Sequence, residues 1–254
     1  MIAADRAVQR PGNAKLLVVD AQGHVLHVPR SAFVDRLERG DVVVANDAAT
    51  LPASLHGLHL ASGAAIEVRL AGRSSLAPND VAHFSAIVFG AGDFHMYTED
   101  RPPPPLLVSG DRLLLGPLSA TVERVLGHPR LIALCFDGTP ATIWAGLAHH
   151  GRPIQYAHIP APMALWDVWT PIAGAPVAFE PPSAGFVLDW QSVQAMRRRG
   201  IVFTTITHAA GISSTGDGDL DGRLPFEEPY RISEAVACAM AHGAIEAFAQ
   251  DVVE

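Results

Sequence analysis

His208 follows directly on Ile201-Val202-Phe203-Thr204-Thr205-Ile206-Thr207, an apolar and β-branched run that reads as a buried strand. In an α/β sheet, ligands collect beyond the carboxyl ends of strands, and an imidazole there is placed to exchange protons near neutral pH. Asn46 and Asp47 end a second run of this kind, Asp41-Val42-Val43-Val44-Ala45. Short polar side chains at that point either face a ligand or close an Asx turn. Asp217 to Glu228 fits the calcium-loop pattern D-x-D-x-D-G-x5-E in full. The helix pair that such a loop needs is missing, because Gly211 to Gly216 reads as a loop and Pro229 obstructs an exiting helix, so no metal is expected. Arg197-Arg198-Arg199 suits phosphate contacts, or the negative end of a helix dipole, which favours cations. His149-His150 reads as a helix end rather than a metal pair, and Cys135 and Cys238, set in apolar runs, read as core residues.

The elements that must position these groups change period along the chain. Leu16–Val19 and His24–Val28 form a predicted hairpin around Gln22-Gly23, and Ser31 caps a predicted helix carrying Phe33, Val34 and Leu37 up to Gly40. From about Leu55 to Phe136 the alternation has period two, with candidate strands at 55–60, 65–70, 82–89, 112–115, 120–126 and 131–136. Short strands separated by turn residues at this spacing predict a small antiparallel barrel or sandwich. The run Pro102–Pro105 is excluded from any strand interior. Helical period returns at Thr139-Pro140 and runs to His149-His150. It recurs after Asp189 as far as Gly200, and again after Ser233, where the apolar face includes Val236, Met240 and Phe248 and the helix is expected to reach Ala249. The expected organisation is an α/β main domain, residues 1–54 and 151–254, interrupted by an inserted antiparallel β-barrel at 55–150.

Composition sets outer limits. With 254 residues, 49% hydrophobic and only 17% charged, the chain is long enough and apolar enough for a sizeable core, and it is not a disordered chain. Apolar runs are too short for a membrane span, and the start lacks a signal-peptide layout, so a cytoplasmic protein is expected. The net charge is −8, and Lys15 is the only lysine among 18 basic residues. Any nucleic-acid contact must therefore be local and made by arginine.

At Gly40–Ser54 the sequence becomes specific: Gly-Asp-Val-Val-Val-Ala-Asn-Asp-Ala-Ala-Thr-Leu-Pro-Ala-Ser. Further blocks follow in order: Gly110–Gly116, Gly151–Tyr156, Pro182–Phe186, Thr205–Gly211 and Glu227–Ile232. Together they resemble the S-adenosylmethionine:tRNA ribosyltransferase-isomerase family of queuosine biosynthesis, with its patterns V-x-N-D, G-x-x-P-x-P-P-Y, P-T-A-G-L-H-F, T-L-H-V-G-x-G and H-x-E-x-Y. The resemblance implies an α/β domain with an inserted barrel. It also implies transfer of the ribosyl part of S-adenosylmethionine onto 7-aminomethyl-7-deazaguanine in tRNA, giving epoxyqueuosine with release of adenine and methionine. S-adenosylmethionine is then a donor substrate and a queuosine-type tRNA the partner, and no metal is involved. Carried over by position, His208 is the first candidate for the base and Glu228 the second. Asn46, Asp47, Ser183, Ala184, Gly185 and Gly211 would hold substrate. This chain departs from the family at Ala49 and Ser54, where arginines are usual, and at Val187 and Phe226, where histidines are. Family members also continue beyond the last helix into a strand and a G-T-T-x-V-R turn, which this sequence does not show. A second reading stays open, a diverged homologue that binds an adenosyl-type ligand or a partner without turnover.

Overall fold

The computed structural model of the protein describes residues 15–242 and 244–247. The chain opens with a hairpin, β1 (Lys15–Val19) against β2 (Val25–Pro29), antiparallel. Its turn is fixed by the Asp20 carboxylate, which accepts from the Gln22 and His24 amides at 2.9 Å each, and by Gly23 at φ 83°. The helix expected after Ser31 is replaced by two 3-10 turns, Arg30–Ala32 and Val34–Arg36. The Arg199 guanidinium accounts for this. It donates to the carbonyls of Val34 (2.5 Å) and Leu37 (3.1 Å), which helix continuation would need.

β3 (Asp41–Asn46) follows, then the short β4 (Ala49–Thr50). Six strands come next: β5 (Ser54–His59), β6 (Ala64–Gly72), β7 (His83–Phe89), β8 (Arg112–Leu115), β9 (Leu118–Val125) and β10 (Leu131–Phe136). They close into an antiparallel barrel in the order β10-β7-β6-β5-β8-β9. Alternate side chains fill it, among them Leu55, Val68, Ile87, Leu113, Val122 and Leu134, all fully buried. Closure depends on Gly57, because a Cβ there would lie 2.0 Å from the Leu114 carbonyl oxygen. The proline run leaves the sheet, as its missing N–H groups require, and the Arg130 guanidinium straps it down through the Pro102 carbonyl at 2.9 Å.

Helix α1 (Pro140–His150) starts as its sequence predicts, with Thr139 Oγ1 accepting from the Thr142 amide and Pro140 in the first turn. Its Ile143 and Leu147 join the barrel core. Two short elements, α2 (Leu165–Val168) and β11 (Pro176–Ala178), lead on, β11 pairing with β4. Helix α3 (Trp190–Arg198) is capped by Asp189, and β12 (Val202–His208) runs parallel to β3. The final elements are α4 (Gly218–Asp221), β13 (Tyr230–Arg231), α5 (Glu234–His242) and β14 (Ala244–Ala247).

The main sheet has the order β13-β12-β3-β14. On one face Val43 and Ala45 meet Val193 and Met196 of α3, and on the other Val42 and Val44 meet Val236 of α5. The alternation of Val42, Val43, Val44 and Ala45 between two faces is what buries all four. This is the expected architecture, an α/β sheet joined to an inserted antiparallel barrel.

The C-terminal expectation needs correction. Helix α5 stops at His242 and does not reach Ala249, and 244–247 form β14, parallel to β3. A strand thus follows the helix where the sequence suggested more helix, and Phe248 lies outside the described residues. Ala, Ile, Glu and Ala carry no decisive helix or strand pattern, so the open edge of β3 determines the outcome. The cysteines are corrected too. Cys135 lies between the buried Leu134 and Phe136 and so faces out of the barrel, half-buried, while Cys238 is exposed on α5.

Candidate active site

β3 and β12 end side by side, which brings Asn46, Asp47 and His208 together at the carboxyl edge of the sheet. The Asn46 side chain pairs with the backbone of His208 as a strand would. Its Nδ2 donates to the His208 carbonyl and its Oδ1 accepts from the His208 amide, both at 3.0 Å. Oδ1 also accepts from the Ala48 amide, closing the Asx turn that the sequence left open. Both carboxylate oxygens of Asp47 are engaged, accepting from the hydroxyls of Thr205 (2.8 Å) and Thr207 (2.7 Å). These side chains thus tie the two strand ends together.

The loop after β12 turns back so that Glu228 reaches the same point. Its Oε2 lies 2.8 Å from His208 Nε2, and its Oε1 accepts from the Gly211 amide at 2.6 Å. A carboxylate on one ring nitrogen fixes the imidazole's orientation and directs the lone pair to the other nitrogen, Nδ1. With side-chain exposures of 30% for His208 and 26% for Glu228, the pair is accessible to a ligand. Gly211 itself is buried against the Ala71 carbonyl at the end of β6, which couples this cluster to the barrel.

Five of the sequence candidates, Asn46, Asp47, His208, Gly211 and Glu228, therefore share one hydrogen-bonded cluster. Ser183, Ala184 and Gly185 do not join it directly. They form a 3-10 turn at Ser183–Val187, and Gly185 packs against Thr170. The loop from Thr170 reaches the cluster through the Gly174 amide, which donates to the Asp47 carbonyl at 2.7 Å.

The calcium-loop acids serve other ends. Asp217 caps α4, Asp221 accepts from the Thr215 amide and hydroxyl at 2.6 Å each, and Glu228 belongs to the histidine. Arg199 staples the segment before β3, and His150 Nε2 meets the His56 carbonyl at 2.8 Å.

Sequence reasoning missed a second polar group at the barrel mouth. Glu67, buried on β6, accepts from Ser54 Oγ and Arg69 Nε at 2.8 Å each and from Arg101 Nη1. Burial alone would raise its carboxyl, but the charges and hydrogen bonds of Arg69 and Arg101 prevail and hold it at about 2. Ser54 and Glu67, with His56, Phe94, Arg152 and Gln155, help line a cavity of about 590 Å³. Behind it the Tyr156 hydroxyl donates to Glu180 at 2.8 Å, and burial, reinforced by Glu180, pushes the phenol well up. Charged residues inside the otherwise apolar strand Ala64–Gly72 were the available signal.

Comparison with known proteins follows the same lines. The S-adenosylmethionine:tRNA ribosyltransferase-isomerase of Sorangium cellulosum (strain So ce56) is 27% identical over 265 residues, covering 94% of this chain and 67% of that protein. A crystallised S-adenosylmethionine tRNA ribosyltransferase from Thermotoga maritima aligns over 97% of this chain and 65% of its own, with 16% identity and a TM-score of 0.37. The chain thus spans about two thirds of the length of these relatives. Residues 1–244 match the family described as queuosine biosynthesis protein, and the chain belongs to that family.

Proposed function

We propose that this chain moves the ribosyl moiety of S-adenosylmethionine onto 7-aminomethyl-7-deazaguanine in a queuosine-type tRNA, in the cytoplasm, forming epoxyqueuosine and releasing adenine and methionine. One observation carries the reading: the reachable His208–Glu228 pair at the carboxyl end of β12, held by Asn46. The sulfonium of the donor acidifies the adjacent 5′ C–H bond. His208 Nδ1 takes that proton, the electron pair staying on the carbon beside sulfur, and Glu228 stabilises the imidazolium that results. The carboxylate also fixes the ring before substrate arrives, so little reorganisation is needed in the transition state. In this reading the Glu67 cavity of the barrel insert, residues 55–150, offers a further place for part of the substrate.

The test supplies S-adenosylmethionine and acceptor tRNA and measures adenine release. Wild type should release adenine only with the tRNA present. His208→Gln should retain donor binding while turnover falls about 10²–10⁴-fold, the usual weight of general acid–base catalysis. A second reading, a homologue that binds an adenosyl-type ligand without turnover, has one structural observation in its favour. Phe226, where the family has a histidine, packs against Gly72 of the barrel. Donor binding with no adenine release from wild type would select it.

A further inference from the structure

On the outer wall of the barrel we propose a zinc-class metal site formed by His83, Glu123 and Cys135. It is independent of the ribosyl-transfer reading. One ligand atom from each residue lies within 4.8 Å of the other two. Cys135 Sγ stands 3.8 Å from His83 Nε2, and His83 Nδ1 stands 3.1 Å from Glu123 Oε1. Ligands at Zn–S and Zn–N distances of about 2.3 and 2.0 Å are separated by about 3.3–3.6 Å in a tetrahedron. The two observed distances fall either side of that range but run from different ring nitrogens, so the exposed His83 ring must rotate to offer one nitrogen to both neighbours.

The backbone explains the convergence. Cys135 and His83 are directly opposed in the β10–β7 ladder, so their side chains leave the same face. Glu123 arrives by an irregularity. Between β10 and β9 the register shifts, with Ala133 opposite Arg124 but Leu134 opposite Val122, which leaves Glu123 as the extra residue of a bulge. A bulge re-aims its side chain, here towards the histidine. A cavity of about 370 Å³ shares His83 and Glu123 in its lining, so this face of the pair is open.

The donor set selects the ion. A thiolate with an imidazole favours zinc or its relatives over calcium and magnesium, which take oxygen. Three protein ligands with one open place is the arrangement of a reactive or exchangeable site rather than a closed structural one. Burial, helped by the carboxylates of Glu123 and Asp137, keeps the Cys135 thiol protonated without metal. On binding, the S–H bond breaks, a sulfur–metal bond forms, and the proton leaves to solvent.

Cobalt(II) is the probe, titrated into the reduced, chelator-treated full chain. One equivalent should bind, with a thiolate-to-cobalt charge-transfer band in the near ultraviolet, visible bands of four-coordinate intensity, and release of about one proton. Cys135→Ser should abolish the charge-transfer band, whereas Cys238→Ser should leave it intact. His83→Ala and Glu123→Gln, both at exposed positions, should keep the wild-type circular dichroism and weaken binding by at least about tenfold. A band that survives in Cys135→Ser, unchanged affinity in either of the other two variants, or only adventitious, non-stoichiometric uptake would overturn the proposal.

Discussion

Asn46 holds His208 by its backbone: across 162 positions of sequence, one side-chain amide satisfies both the N–H and the C=O of the histidine. The imidazole is thereby aimed by a residue that never touches it. Asn46→Ala should orphan both groups, costing about 1–3 kcal/mol of stability, and should lower adenine release by about 10²-fold by misplacing the base. Asn46→Asp keeps the acceptor and loses the donor, so it should fall between the two. Urea unfolding and turnover, measured together, check both effects.

Glu67 makes the barrel acid-sensitive. Its folded value of about 2 lies below the ordinary 4.5, so its contribution to stability is full above about pH 5 and is lost as pH falls towards 2. Glu67→Gln should flatten that acid limb. At neutral pH the same change leaves the Arg69 and Arg101 guanidiniums buried without their anion and should cost about 3–5 kcal/mol. Denaturant midpoints across pH for wild type and variant provide the comparison.

Gly57 sets the barrel seam. Between β5 and β8 the ladder has only two paired positions, Leu58 with Leu114 and His59 with Leu113. Because an added methyl group would meet backbone and not a movable side chain, Gly57→Ala should destabilise by about 3 kcal/mol. Gly218→Ala, where nothing lies within 4 Å, should stay within about 0.5 kcal/mol of wild type. Thermal unfolding of the two variants tests the contrast.

Acceptor binding should be weak in its electrostatic component. With a net charge of −8, few phosphates are neutralised, and the logarithm of tRNA affinity should fall only shallowly with the logarithm of salt concentration. A filter-binding or fluorescence titration between low and physiological salt measures that slope. A steep slope would require a concentrated arginine patch.

The sequence by itself determined the layers. Uninterrupted apolar runs such as Val42–Ala45 demand burial on both faces, and the alternation of apolar and polar residues in 120–123 demands a sheet with one buried face. Thr139, Asp189 and Ser233 announced their helices because a cap is a local hydrogen bond, written within three residues. His208 was legible because it ends such a run, and Glu228 because it falls in a family block. What only the tertiary structure decided were the long-range pairings. The competition of Arg199 for the Val34 and Leu37 carbonyls turned a predicted helix into two 3-10 turns. The free edge of β3 drew 244–247 into a strand. Ser54, Glu67, Arg69 and Arg101 met only once the barrel closed. A bulge invisible to periodicity turned Glu123 towards His83. In each case the partner is far away in sequence, and its contribution exists only after the chain entropy of bringing the two segments together has been overcome.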